Sequence, residues 1–376
     1  MSPKEAANSR PTMQDVADRV GLSRQLVSIV LSGAEGASEA SRERVHAAAR
    51  ELGYYPDDSA RLLRRRRSGQ IGVFFTMRQP FEVDLVDALY RQAEAHGFHL
   101  VLSTIGPGRS QRVALDELMR QRLEALIVLA AVGGAGTIDE LPRGIPVVLL
   151  GGPIASGRFD DVRAENESGI AQAVDHLHDL GHRRICYVGP SASPNAAARL
   201  TGYRESMRRH GLDAHVDIVE STYTEEGGHA AALELLTRPQ LPTALVCAND
   251  RCAFGVMMTL IRAGKRVPED ISIVGFDDSS IARFPFVDMT SVHPDVEQMA
   301  ARAIEAVRNR LDDPGGAAPY GADPAGAGAE GADPADADPA DADSAGADSA
   351  GEVWDHPIPV TLSVRGSTGP PPAPKP

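Results

Sequence analysis

Cysteine is scarce. The chain has three in 376 residues (Cys186, Cys247 and Cys252), an odd number without CxxC spacing, which excludes a disulfide-built scaffold and a zinc ribbon. No apolar run approaches the ~20 residues of a membrane span, and residues 1–30 lack the apolar core of a secretory signal. The phosphate-cradling GxxxxGK(S/T) motif is missing, and Gly133-Gly-Ala-Gly136 lacks the third glycine of a dinucleotide fingerprint. No acidic pair is set by a motif for acid–base chemistry, so no catalytic role is expected. The last strand-like segment carries no leucine heptad for a tetramerising coiled coil. What these absences leave is a soluble protein of a reducing compartment, by default the cytoplasm. No membrane partner, cofactor or metal is expected.

The remainder is ordinary in bulk and unusual in distribution. Hydrophobic residues at 42% and charged residues at 24% are globular values, and the length suggests two or three domains. The net charge is -14, but residues 312–352 hold nine Asp and two Glu with no Lys or Arg. Residues 1–70 run the other way, with twelve Lys plus Arg against nine Asp plus Glu. Five of those cations fall within Arg61–Arg67. A basic end on an acidic chain points to an anionic partner at that end.

Periodicity divides the chain. Residues 1–11 are polar and expected to be disordered. From Thr12 to Pro56 short helical patterns follow one another. Thr12, Ser23 and Ser38 stand as N-caps, with Gly21 and Gly53 as breaks. At Ile71 short apolar strands begin to alternate with amphipathic helices. Strands are expected at 71–75, 100–103, 125–129, 147–150, 185–188, 244–247 and 271–275. Helices are expected at 83–96, 169–180, 195–210, 226–236 and 251–263. That alternation implies parallel, doubly wound sheets, and its length fits two similar lobes. Residues 312–352, rich in Asp-Pro-Ala and Asp-Ala-Asp, cannot bury enough apolar surface to offset ordering entropy and read as a disordered insert. Strand character returns at Val360–Val364. Residues 369–376 read as a disordered tail.

The sharpest motif lies in 15–31, DVADRVGLSRQLVSIVL. A helix-turn-helix needs a small residue where the helices touch, a turn residue that tolerates positive φ, and an apolar anchor on the second helix. Ala17, Gly21 and Val27 stand at relative positions 0, +4 and +10 and meet all three needs. The second helix then offers Ser23, Arg24, Gln25 and Ser28 to a major groove, where Arg pairs with guanine and Gln with adenine. The alternative is a plain helical hairpin with a solvated polar face.

These residues, with others in the same order, resemble the LacI/GalR family of transcription factors. VHAAARELGYYP at 45–56 resembles the family's third helix and exit, ARLL at 60–63 its hinge helix, and SGQIGV at 68–73 the entry into its core. DHLHDLGH at 175–182, RLTGY at 199–203, AND at 248–250, VGFDD at 274–278 and VTLSVRGST at 360–368 follow. The resemblance implies an N-terminal all-α helix-turn-helix domain (12–56), a hinge helix and linker (57–69), and a two-lobed, periplasmic-binding-protein-like α/β core (70–311 with 353–368). It further implies a homodimer on a palindromic double-stranded DNA operator and a small-molecule effector, a sugar or sugar derivative, between the lobes. Repression is the expected mode.

Site residues follow by matching position. Thr12, Ser23, Arg24, Gln25, Ser28 and Ile29 fall in the DNA-reading part. Ile29 stands where the family usually has an Arg that reads a base; Ser32 and Asp57 each replace a common Asn. Ala60, Leu63 and Arg64 fall in the hinge, with Leu63 as the wedge that opens a base step. Arg61 and Arg64–Arg67 would neutralise phosphates and steepen salt dependence. Phe81, Arg199, Asn249 and Asp277 are the effector residues, with Asn249 and Asp277 suited, beside Arg199, to vicinal hydroxyls. Asp250 reads as the cap of the helix that follows. Gly151-Gly152 stands where many relatives carry a polar sugar contact. His176 and His182 are structural in this reading, not metal ligands. Two other readings compete: a solute-binding module of the transport class and a sugar-phosphate enzyme.

Overall fold

A computed structural model of the chain describes residues 11–55, 67–77, 79–106, 108–129, 141, 144–151, 159–312 and 354–373. The hinge positions Ala60, Arg61, Leu63 and Arg64, most of the acidic insert, Gly152 and the 133–136 glycines lie outside these described residues. The chain divides into two compact units, residues 1–68 and 69–376.

Among the described residues the first unit has three helices: α1 (Met13–Val20), α2 (Arg24–Leu31) and α3 (Glu39–Leu52). Each starts where a hydroxyl can cap it. Thr12 Oγ1 accepts from Asp15 N, while Thr12 N donates back to Asp15 Oδ2 at 2.7 Å. Ser23 and Ser38 cap α2 and α3 in the same way. That reciprocal bond to Thr12 holds the exposed Asp15 carboxyl below its ordinary value. Gly21 ends α1 at φ 65, the left-handed turn that a side chain would strain. Val16, Ala17, Val20, Val27, Val30, Val45, Ala48 and Ala49 form the buried core. It is built from small side chains, so the three helices can approach closely.

The second unit holds two six-stranded sheets. The N-lobe sheet has the order β11-β5-β4-β3-β1-β2, built from β1 (Gln70–Thr76), β2 (His99–Ile105), β3 (Ala125–Leu129), β4 (Val147–Leu150), β5 (Asp160–Ala164) and β11 (Asp355–Ile358). The C-lobe sheet has the order β12-β10-β9-β8-β6-β7, from β6 (Ile185–Gly189), β7 (Asp217–Glu220), β8 (Ala244–Cys247), β9 (Ser272–Phe276), β10 (Thr290–Pro294) and β12 (Val360–Ser363). All pairs are parallel except β10–β12. Helices α4 (Pro80–Ala95), α5 (Gln111–Met119) and α10 (Val296–Asp312) belong to the N lobe. The C lobe carries α6 (Asn166–Asp179), α7 (Pro194–Arg209), α8 (Glu225–Leu236) and α9 (Asp250–Arg262).

The chain therefore crosses between lobes three times, from β5 to α6, from β10 to α10 and from β11 to β12. The expected strands and helices are present with ends shifted by a few residues. Four strands (β5, β7, β10, β11) and two helices (α5, α10) carried no recognised signal. Two strands, one in each sheet, follow the acidic segment instead of the single one expected. Asp160 removes the apolar signature from β5. It is 1% exposed and accepts from Arg310 at 2.7 and 2.9 Å and from Trp354 N at 3.0 Å. A carboxylate buried by pairing has no hydrophobic signature. The same side chain ties the end of α10 to the residue before β11, closing the base of the acidic segment. Gly369, placed by sequence at the start of the tail, is held in the C lobe. Its carbonyl accepts from Ser272 Oγ (3.1 Å) and lies 2.8 Å from His182 Nε2.

Candidate functional site

Two sets of polar residues stand apart, one in each unit. In the first unit the apolar stripe of α2, Val27 and Val30, faces the core, so Arg24, Gln25 and Ser28 emerge on the opposite side. Among the described residues none of these three makes a side-chain hydrogen bond. Other arginines nearby are engaged: Arg19 with Glu51, Arg42 with the Ala34 carbonyl, Arg44 with the Val20 carbonyl. Thr12 and Ser23 serve as caps, each accepting from a backbone N–H in the first turn of its helix. Ile29 is only half-buried on the edge of α2, so an apolar side chain occupies the end of the polar face.

In the second unit the C-terminal ends of the C-lobe strands supply the other set. Arg199, on α7, is 8% exposed and lies over the Phe276 ring at 3.6 Å from its centroid. Its Nε donates to Asn166 Oδ1 at 2.7 Å, its Nη1 donates to the Ala248 carbonyl, and its Nη2 lies 3.6 Å from Asp277 Oδ1. Asp277 and Asp278 follow β9 with φ of 106° and 44°, a conformation side chains other than glycine rarely take. Burial pushes the Asp277 carboxyl up to about 8. Arg199 opposes that shift, whereas the Asp250 and Glu82 carboxylates add to it. Asp278 is anchored to the crossing strands, its carboxylate 2.7 Å from Arg365 Nη2 and 3.1 Å from His293 Nδ1.

The structure thus brings Arg199 and Asp277 together. It reverses the expected division of labour at the start of α9. Asn249, not Asp250, is the N-cap, its Oδ1 accepting from Cys252 N at 3.0 Å. Asp250 is buried and accepts from Ser291 Oγ at 2.5 Å and Ser279 N at 2.6 Å. Burial raises it to about 6 against those two bonds. Asn249 Nδ2 donates to Gln79 Oε1 (3.2 Å) and to the Tyr223 carbonyl (3.3 Å), so its amide is engaged instead of open to vicinal hydroxyls. Phe81 is partly buried against the N-lobe core.

Asn166, Gln79 and Tyr223 carry no signal of their own in the sequence, and Phe276 lies in the VGFDD motif without a site role of its own. Asn166 could have been found only by recognising β5, the strand that delivers it. His176 and His182 are bonded to the C-terminal segment through Thr368 and Gly369, while His178 stacks on His210 at 3.9 Å. Among the described residues no helix is long and apolar enough to cross a membrane.

Comparison with known proteins gives two family matches: bacterial regulatory proteins of the lacI family over residues 12–57, and a periplasmic binding protein-like domain over residues 174–321. The ribose operon repressor of Escherichia coli K12 is 32% identical over 309 residues, covering 81% of this chain and 94% of that protein. A crystal structure of a LacI transcriptional regulator from a Rhodococcus species aligns with a TM-score of 0.68 at 33% identity, covering 80% of this chain and 98% of that one. The transcriptional regulator CelR in complex with cellobiose aligns at 0.63 and 27% identity, over 95% of this chain and all of the other.

Proposed function

Because the chain belongs to the LacI family of bacterial regulatory proteins, we propose that it represses transcription by binding a palindromic operator as a homodimer, and that a sugar held between the lobes of its core controls that binding. The observation that carries the reading is the unspent polar face of α2. Among the described residues Arg24, Gln25 and Ser28 are exposed without side-chain partners, together on the side of α2 turned away from the domain core. Arg24 reads a guanine and Gln25 an adenine, each good bidentate pair supplying ~1–3 kcal/mol of discrimination. Thr12 and Ser23 orient the helix starts toward phosphates. Ile29 makes apolar contact, which favours a thymine methyl over a guanine at its base pair. Ala60, Leu63 and Arg64 take the hinge roles that the family resemblance implies: minor-groove approach, base-step wedge and phosphate contact.

For the effector, Arg199 and Asp277 supply donors and an acceptor at one point of the cleft, with Phe81 as an apolar wall. Similarity to a ribose operon repressor and to a CelR–cellobiose complex supports a neutral sugar. Asp277 leads directly into Asp278, which is tied to the crossing strands β10 and β12 through His293 and Ser363. A ligand that reorients Asp277 therefore biases the strands on which the lobes turn. Such a coupling between sites is typically ~1–3 kcal/mol. The homodimer surface is the apolar patch of Val83, Phe284 and Phe286, 58%, 43% and 79% exposed, which Arg283 and Asp84 join at 3.1 Å across the lobes. The protein works in the cytoplasm, and no reaction is assigned to the cleft.

Selection of an operator from a random double-stranded library, then anisotropy titration of the winner with D-ribose, cellobiose and other sugars, tests this. The expected result is a palindrome of roughly 14–20 base pairs with a flexible central step, released by one sugar. Affinity should fall steeply between about 50 and 200 mM salt. No enriched site, together with tight sugar binding, would favour a solute-binding protein instead.

A further inference from the structure

We infer that Asn166 is a positioning residue for the effector: it fixes the guanidinium of Arg199 before a ligand arrives, so that one nitrogen, Nη2, is left to face the cleft. The inference rests on the effector-cleft reading above. Arginine carries five N–H donors on three nitrogens and no acceptor. Two of those nitrogens are occupied within the protein. Nε donates to Asn166 Oδ1 at 2.7 Å, and Nη1 donates to the Ala248 carbonyl. The Phe276 ring covers one face of the plane. Among the described residues Nη2 makes no hydrogen bond, and the Asp277 carboxylate stops 3.6 Å from it. A planar group held at two nitrogens and one face keeps a single orientation, which lowers the ordering cost left for ligand binding.

The amide of Asn166 can point only one way. Its partner at Oδ1 is a pure donor, so the amide nitrogen faces the other side. There Nδ2 donates to the Ala164 carbonyl at 3.2 Å and to Asn195 Oδ1 at 3.1 Å. Both N–H groups are used, and the residue is 5% exposed. Packing brings the amide to the guanidinium. A Cβ on Gly202 would stand 2.5 Å from the Glu167 carbonyl oxygen. With no side chain at 202, α7 lies close against the first turn of α6, and Asn166 reaches Arg199 from the neighbouring helix.

Asn166 also opens α6 directly after β5, where Glu165 in the cap position makes no side-chain bond. A purely structural residue would pin this crossing segment through its two N–H bonds and nothing more. The two roles use opposite ends of one amide, the oxygen for positioning and the nitrogen for the crossing. Without the oxygen, Nε loses its bond and the guanidinium is free to close on Asp277. That direct pair would withhold from a sugar both the donor and the acceptor it needs.

The test uses the full chain as wild type, Asn166→Asp, Asn166→Ala and Asn166→Leu. Aspartate keeps an acceptor for Nε and removes both N–H groups. Alanine removes both ends, and so does leucine, which fills the space in case alanine impairs folding. Calorimetry with D-ribose and with cellobiose, beside thermal melts, reads the two ends separately. Affinity should follow the oxygen: Asn166→Asp close to wild type, Asn166→Ala and Asn166→Leu ~10–100-fold weaker, the strength of one hydrogen bond to a charged group. Melting should follow the nitrogen, with all three variants below wild type. Wild-type affinity in the alanine and leucine variants would overturn the positioning role, and so would a loss in Asn166→Asp equal to theirs. If neither sugar binds the wild type, the effector reading is what fails, and crystal structures of wild type and Asn166→Ala then decide. A guanidinium turned onto Asp277 supports positioning by Asn166; an unmoved one overturns it.

Discussion

The reading helix and the cleft treat polar groups in opposite ways. On α2, Arg24, Gln25 and Ser28 project without side-chain partners among the described residues, whereas Arg199, Asn166, Asn195 and Asp277 contact one another in a chain and Asn249 is bonded to Cys252, Gln79 and Tyr223. Exposed side chains stay solvated while they await DNA, so leaving them unpaired costs little. Buried ones would lose several kcal/mol without partners, so the cleft must satisfy itself until a ligand exchanges with those bonds. A surface for a large polyanion can be built of spare groups. A site for a small molecule has to be built of reassignable ones.

The largest test of that contrast is Arg199→Ala. It leaves two buried acceptors, Asn166 Oδ1 and the Ala248 carbonyl, without their donor, so the core should lose about 2–6 kcal/mol in a urea melt, at ~1–3 kcal/mol for each buried group left unsatisfied. Sugar binding should vanish with it. A variant with an unchanged midpoint would mean that the cleft residues are no more interdependent than those of α2.

Next is Asp277→Asn. A carboxyl raised from 3.8 to about 8 keeps its proton in the folded chain and loses it in the unfolded one across that interval. The folded state binds more protons there, so wild-type stability falls as pH rises from about 4 to 8. The asparagine removes this slope. Thermal melts should show the variant gaining on wild type toward pH 8 and losing the advantage toward pH 4. Parallel curves would refute the raised carboxyl.

Smaller effects belong to the spare groups. Arg24→Ala should cost ~1–3 kcal/mol of operator binding with discrimination lost at one base pair in each half-site, and should leave thermal stability within about 0.5 kcal/mol. A stability loss as large as that of Arg199→Ala would show that Arg24 is not spare. Smallest is Ser23→Ala. Removing the α2 cap should cost the N-terminal unit about 1 kcal/mol by denaturant titration and weaken all operators alike; a change in base preference would give Ser23 a reading role.

The fold was legible wherever burial is achieved with apolar residues. The Ala17–Gly21–Val27 spacing, the serine and threonine caps and the runs at 125–129 and 147–150 each declare themselves locally. Strands β5 and β10 do not, because Asp160, Ser291 and His293 enter them with partners supplied from other elements of the chain, and Asp161 with a neighbour on its own strand, Arg163. The candidate site divides in the same manner. Arg199 and Asp277 stand in recognisable motifs, but Gln79, Asn166 and Tyr223 are ordinary residues until three chain crossings bring two lobes face to face.

The sequence by itself determined the helix-turn-helix, the polar face it offers, the two-lobed α/β plan and the family, since each rests on contacts between near neighbours or on motifs in order. Only the tertiary structure decided which amide caps α9, which carboxyl is driven toward its neutral form, and that Gln79 meets Asn249. Those outcomes depend on burial and on partners far apart along the chain, 170 positions for Gln79 and Asn249, and hydrogen bonding and desolvation act on distance in space, not along the chain.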